Sequence, residues 1–143
     1  MNITDFLKEL RTREYTLGGD TLDKIFARQT ELMDRYHPIE KANGLLQTED
    51  VPVDLNDRFG QQRLKDFMER IIEELMEAAN CLKNKPWKQT HMVTDEVHYK
   101  EELIDAFHFF IELLILSGIG PEELYDFYFA KSKVNEFRQE SGY

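Results

Sequence analysis

The stretch EELIDAFHFFIELLILSG, residues 101–118, decides the fold. Its apolar residues, from Leu103 to Leu116, recur at spacings of three and four and stand nearly all round a helical projection. That spacing predicts a helix rather than a strand. A helix apolar on almost every side is buried on several sides. In a chain of 143 residues this predicts a partner subunit covering part of it. Gly118 suits the position just past the helix end, and Pro121 suits the first turn of the next helix. The two helices are read as running from about Val97 to Ser117 and from Pro121 to about Gln139.

Working back toward the N-terminus, a helix is expected from about Arg58 to Leu82, stopped by Asn84-Lys85-Pro86. Its apolar stripe is Leu64, Met68, Ile71, Ile72, Leu75, Ala78, Ala79 and Leu82. Residues 37–56 contain Pro38, Gly44 and Pro52 and read as a loop of about twenty residues, a length that marks functional or mobile segments. Before it, Asp20 or Thr21 caps a helix reaching about Tyr36, where Pro38 is expected to end it. A short helix over about Asp5 to Arg13, capped by Thr4, precedes the Gly18-Gly19 break. No run alternates as a strand would. The expectation is therefore an all-α, antiparallel bundle of about five helices, in a single domain over residues 1–143.

Composition narrows the function. Net charge is −10, and so acidic a surface repels nucleic-acid phosphates. A single cysteine, Cys81, excludes an intrachain disulfide and a multi-cysteine zinc site. Residues 1–5 show no basic start before an apolar run. The most apolar segment, Ala106 to Ile119, is too short to span a bilayer and contains His108 and Glu112. A soluble, cytoplasmic protein with no nucleic-acid or membrane partner is expected.

The acids carry the chemistry. Glu74 and Glu77 stand three apart on one helix, and Glu102 and Asp105 stand three apart on another. Neighbours at that spacing repel when both are ionised. Taking Leu75 as the stripe centre and about 100° per residue, Glu74 lies at the edge of the core and Glu73 faces water. Glu102 and Asp105 share a face with Phe109, Leu113 and Leu116, so that face is acidic in one half and apolar in the other. Carboxylates on an apolar surface need a pairing cation, and hard oxygen donors from two helices suit Mg²⁺ or Mn²⁺. The plain alternative is a set of solvated acids with lysine partners. A carboxylate di-iron centre stays open as well, although such centres use Glu-x-x-His. Asp105-Ala-Phe-His108 approaches that motif loosely, and Glu77-x-x-Asn80 does not.

The order EExxE (Glu73 to Glu77), 24 residues, then ExxD (Glu102 to Asp105) resembles the all-α nucleoside-triphosphate pyrophosphohydrolase superfamily, which includes MazG-type enzymes and dimeric dUTPases. Three further features resemble the phage and bacterial dimeric dUTPases. They are Asn80 with Lys83-Asn84-Lys85-Pro86-Trp87-Lys88, the segment Leu103 to Phe109, and the string Lys131, Asn135, Arg138 and Tyr143. The helix around Gln29 is similar to the family's base-binding helix. The resemblance implies Mg²⁺, with Mn²⁺ as a substitute, held by Glu74, Glu77, Glu102 and Asp105, with Glu74 or Glu77 also serving as base toward the attacking water. It implies that Lys131, Asn135, Arg138 and Tyr143 hold phosphates and sugar, that Gln29 and Trp87 face the base, and that Asn80 contacts substrate. It also implies a homodimer or higher homo-oligomer.

The reaction so implied is hydrolysis of a nucleoside triphosphate to monophosphate and pyrophosphate, with dUTP as the first substrate to test. Leu32 and Met33 stand where the family often has an asparagine one turn after the glutamine. A phage-type dCTPase is therefore the rival, followed by a permissive MazG-like enzyme. From a different class, the rival is a non-catalytic helical dimer that binds nucleotide or metal.

Overall fold

The computed structural model describes residues 3–5, 20–46 and 48–142. It contains four long helices: α1 (Thr21–Ala42), α2 (Arg58–Cys81), α3 (Glu96–Leu116) and α4 (Pro121–Glu140). The described residues contain no strand, and the fold is an all-α bundle. Residues 3–5 are helical, while the rest of the expected Asp5–Arg13 helix lies outside the described residues.

The starts of α1, α2 and α3 are each fixed by an aspartate, whereas α4 begins after Gly120 with Pro121 in its first turn. The Asp20 carboxylate accepts from the Asp23 N–H in a reciprocal capping box, Asp57 accepts from Gly60, and Asp95 accepts from His98. These caps satisfy N–H groups that the helix itself leaves orphaned. The end of α3 is a Schellman turn. The Ile119 N–H donates to the Leu114 carbonyl, the Gly118 N–H donates to Ile115, and Gly118 takes φ +81°.

α2 and α3 form the central antiparallel pair. Phe67 meets Phe109 edge-on at 6.0 Å, and Leu64 shares a cluster with Leu113 and Leu116. Met33 from α1 and Val53 from the connecting loop complete this core. α4 leaves α3 at 102° and makes its contacts chiefly with α1. No single helix among the described residues is long and apolar enough to cross a membrane.

Three expectations need correction. Pro38 does not end α1, which continues to Ala42. Proline removes only its own N–H and leaves the Asp34 carbonyl without that donor, and Asp34 is exposed, so water can serve it. The last turns are also tied down, by Glu40 to Arg70 (3.7 Å) and by His37 to Arg63 (2.9 Å). Consequently the loop spans 43–57 rather than 37–56, and much of it is fastened. The Val53 N–H donates to the Leu116 carbonyl at 2.9 Å, and Arg63 donates to the carbonyls of Thr48 and Asp50. Gly60 lets α2 begin against this loop, because a Cβ there would stand 2.6 Å from the Asp54 carbonyl oxygen.

The third correction concerns the stripe of α2. Leu64, Phe67 and Ala78 are buried and Ile71 is partly so, but Met68, Ile72, Leu75 and Leu82 are exposed. The helix has two apolar faces. One packs on α3, and the other has no cover among the described residues. The core centre is therefore rotated away from Leu75 toward Phe67, which carries Glu74 inward.

Candidate active site

The antiparallel register of α2 and α3 places Glu74 opposite the first turns of α3. Carboxylate oxygens of Glu74, Glu102 and Asp105 lie within 4.8 Å of one another. All three residues lie partly buried. Glu73 is exposed. Phe109, Leu113 and Leu116 continue the same face of α3 into the core, so the acids sit at the open end of an apolar seam.

Their electrostatics follow from that position. Glu74 is pushed up to about 7, first by desolvation, then by the charges of Glu77 and Asp105 and by Glu102. Glu102 is also raised, first by desolvation and then by Glu77, with His98 opposing. Crowded carboxylates avoid full ionisation by holding protons. A divalent cation relieves the same repulsion, and three converging hard oxygen donors suit one. The donor set and the unbalanced negative charge therefore fit a hard divalent ion.

Glu77 stands outside this tight group. It is exposed and lines a neighbouring depression with Asn80, Lys83 and His98. His98 Nδ1 approaches Glu102 Oε1 at 3.5 Å.

From Glu74 and Asp105 a cleft of about 390 Å³ runs between α1, α2 and α3. Gln29, Tyr36 and Glu40 line it from α1, Arg70 from α2, and His108, Phe109 and Glu112 from α3. Arg70 lies 4.5 Å above the Phe67 ring. Beyond Gln29 and His108 a second hollow of about 280 Å³ opens against Ile25 and Phe107. Gln29 is 5% exposed and its Nε2 donates to Glu112 Oε2 at 3.3 Å. The buried Gln29 amide is thus tied to a buried acid 83 residues away.

Glu112 is the residue that sequence reasoning missed. It is 3% exposed, and burial pushes it up to about 7, with Glu40 adding to the shift and Arg70, Arg63 and Gln29 opposing it. His37, near the end of α1, is half-buried. It lies 3.7 Å from Glu112 Oε1, and its Nε2 takes a contact from Arg63. Burial and the Arg63 charge lower the His37 pKa. The signal was present, since an acid in the middle of an apolar helix must find partners. Those partners come from α1 and α2, at separations that no local pattern displays. His108 is exposed and lines both hollows.

The remaining expected contacts are dispersed. Trp87 is 74% exposed, with Lys85 Nζ 5.6 Å from its ring centre. Lys131, Asn135 and Arg138 are exposed on α4, which has no buried residue. Tyr143 lies outside the described residues.

Comparison with known proteins adds two relatives. The chain is similar to the dCTP pyrophosphatase of Enterobacteria phage LZ5, 36% identical over 70 residues, covering 41% of this chain and 41% of that protein. It is also similar to the dCTP pyrophosphatase of Enterobacteria phage T4, 39% identical over 49 residues, covering 34% of this chain and 29% of that protein. No family model and no solved structure matches the chain. The chain thus aligns with well under half the length of these two relatives, and both are pyrophosphatases whose stated nucleotide is dCTP rather than dUTP.

Proposed function

We propose that the chain is a divalent-metal-dependent nucleoside-triphosphate pyrophosphohydrolase of the MazG-like, all-α superfamily, and that dCTP is its substrate. The observation that carries this is the convergence of Glu74, Glu102 and Asp105 beside a cleft large enough for a nucleoside. The dCTP pyrophosphatase relatives shift the choice of base from dUTP, the first expectation, to dCTP.

Glu74, Glu102 and Asp105 would hold Mg²⁺, or Mn²⁺ in its place. When bound, the ion supplies charge neutralisation for the phosphates and activation of water. Glu77, exposed at the rim and beside Glu102, would accept the proton lost by the attacking water. Arg70 adds a fixed positive charge on the cleft wall. The products are the nucleoside monophosphate and pyrophosphate. Attack at the β-phosphorus is the course favoured by the dimeric dUTPase resemblance.

Lys131, Asn135, Arg138 and Trp87 take part only if a second copy presents them. Tyr125, Phe127, Tyr128, Phe129 and Phe137 of α4 are at least half exposed, as are Ile72 and Met76 of α2 and Leu82 just past its end. So much uncovered apolar surface supports a homodimer or higher homo-oligomer.

The test is pyrophosphate release from a panel of canonical nucleoside triphosphates with Mg²⁺, with and without chelator. Release from dCTP above all others, abolished by chelator, is expected. Equal rates across the panel would replace dCTP by a permissive MazG-like activity. Metal and nucleotide binding without any release would leave a non-catalytic binding protein.

A further inference from the structure

The strongest unassigned feature is the buried acid below the cleft. Glu112 follows Asp105 by seven residues, two helical turns on the same face, which places it about 10 Å along α3 from the acidic group. That is the order of the distance between a nucleotide's base and its phosphates. A substrate with its phosphates at Glu74 and Asp105 therefore brings its base to the level of Glu112 and Gln29.

At that level the polar groups have fixed roles. An ionised carboxylate only accepts hydrogen bonds, whereas an amide offers a donor at one end and an acceptor at the other. Glu112 Oε2 takes the Gln29 Nε2. Glu112 Oε1 has no hydrogen-bond partner among the described residues. The nearest basic group to it, His37 Nε2 at 3.7 Å, is already engaged by Arg63 at 2.9 Å. Turning the Gln29 amide over would set its oxygen against the carboxylate and leave a buried acid with no donor at all. Burial makes that arrangement costly. Gln29 lines both hollows, and its Oε1 has no hydrogen-bond partner among the described residues.

We infer that Glu112 is a positioning residue that locks the Gln29 amide with its carbonyl toward the base, so that the site selects an aminopyrimidine, cytosine, over uracil. Cytosine presents the N4 amine as a donor where uracil presents the O4 acceptor. A glutamine free to turn would serve either base, and a locked one meets O4 with a second acceptor. The inference rests on the hydrolase reading of the site and adds to it the device that chooses the base.

Glu112→Gln tests this. The new amide can face Gln29 with either end, so the lock is lost while size and burial are kept. At pH 8, above the value of about 7 that burial gives Glu112, the wild type is expected to favour dCTP over dUTP in kcat/KM. The variant should lower that ratio by about tenfold or more, the range that one base-edge contact commands. A purely structural acid would lower both rates together and leave the ratio unchanged, which overturns the inference. A second measurement needs no variant. The triphosphate of 2-pyrimidinone deoxyriboside lacks the N4 amine at almost no change of shape, and the wild type should turn it over at least about tenfold less efficiently than dCTP. Equal efficiency overturns the inference even if Glu112→Gln fails to fold. Turnover with an unchanged ratio overturns the inference alone, whereas release of pyrophosphate from no triphosphate overturns the hydrolase reading and the inference with it.

Discussion

Two acids in this molecule, Glu74 and Glu112, are pushed to about the same value, near 7, and desolvation is the largest cause for both. What stands around them differs. Glu74 faces Glu77, Asp105 and Glu102, all of its own sign. Glu112 has Arg70, Arg63 and Gln29 working against its shift, with Glu40 as the like charge. The first environment is crowded by like charge, and the second holds one donor, Gln29, and the cationic side chains of Arg63 and Arg70 from other helices. Equal shifts therefore mark two different tasks. Crowding prepares a place for a metal ion, and enclosure fixes the direction of hydrogen bonds.

The largest effect should come from breaking the crowded group. Asp105→Asn removes one of three converging acids, and metal-dependent turnover of dCTP is expected to fall at least about 10²-fold in a steady-state assay, a loss typical of removing a preorganised electrostatic contact. The same variant without metal should be no less stable than the wild type, because it also removes a repelling charge.

Next comes the enclosed network. Arg63 donates to the Thr48 and Asp50 carbonyls and contacts His37. Arg63→Met leaves these groups unserved beneath the 43–57 loop. Urea denaturation should register a loss of about 2–3 kcal/mol. Gly60→Ala tests the neighbouring turn. Its Cβ would meet backbone, the Asp54 carbonyl oxygen, so the helix start must shift, at about 1–3 kcal/mol.

A pH comparison separates the two acids. The folded state holds the Glu112 proton up to about 7, above the ordinary carboxylate value of 4.5. A raised value of this kind favours the fold fully below 4.5, and the advantage is lost as pH rises through 7. The full difference is on the order of 3 kcal/mol. In chelator, Tm should therefore fall from pH 5 to pH 8 in the wild type and fall less in Glu112→Gln. Parallel curves would mean that Glu112 titrates alike in the folded and unfolded chains. The smallest effect concerns assembly. Phe127→Asp on the uncovered face of α4 should shift sedimentation toward monomer and leave helix content unchanged.

The fold was legible because it is written in local patterns. Asp20, Gly118 and Pro121 mark ends through neighbours a few residues away, and the apolar run of α3 announces burial by itself. Pro38 misled because its cost is offset by Glu40–Arg70 and His37–Arg63, contacts between distant parts of the chain. The stripe of α2 misled for a similar reason. Periodicity finds apolar residues, but it does not say that Phe67 faces α3 while Leu75 and Ile72 face outward. The inward turn of Glu74 was legible from its place beside that stripe. The enclosure of Glu112 by Gln29 was not, because 83 residues separate the two.

The central claim, that acids from α2 and α3 converge to hold a divalent ion, meets its most direct test in calorimetric titration of Mn²⁺ at pH 7 in two buffers of different ionisation enthalpy. Saturable binding with net proton release is expected, since Glu74 must give up the proton that burial and the neighbouring acids let it keep, and both signals should vanish in Glu74→Gln. Absence of saturable binding, or binding that Glu74→Gln leaves intact, would contradict the account.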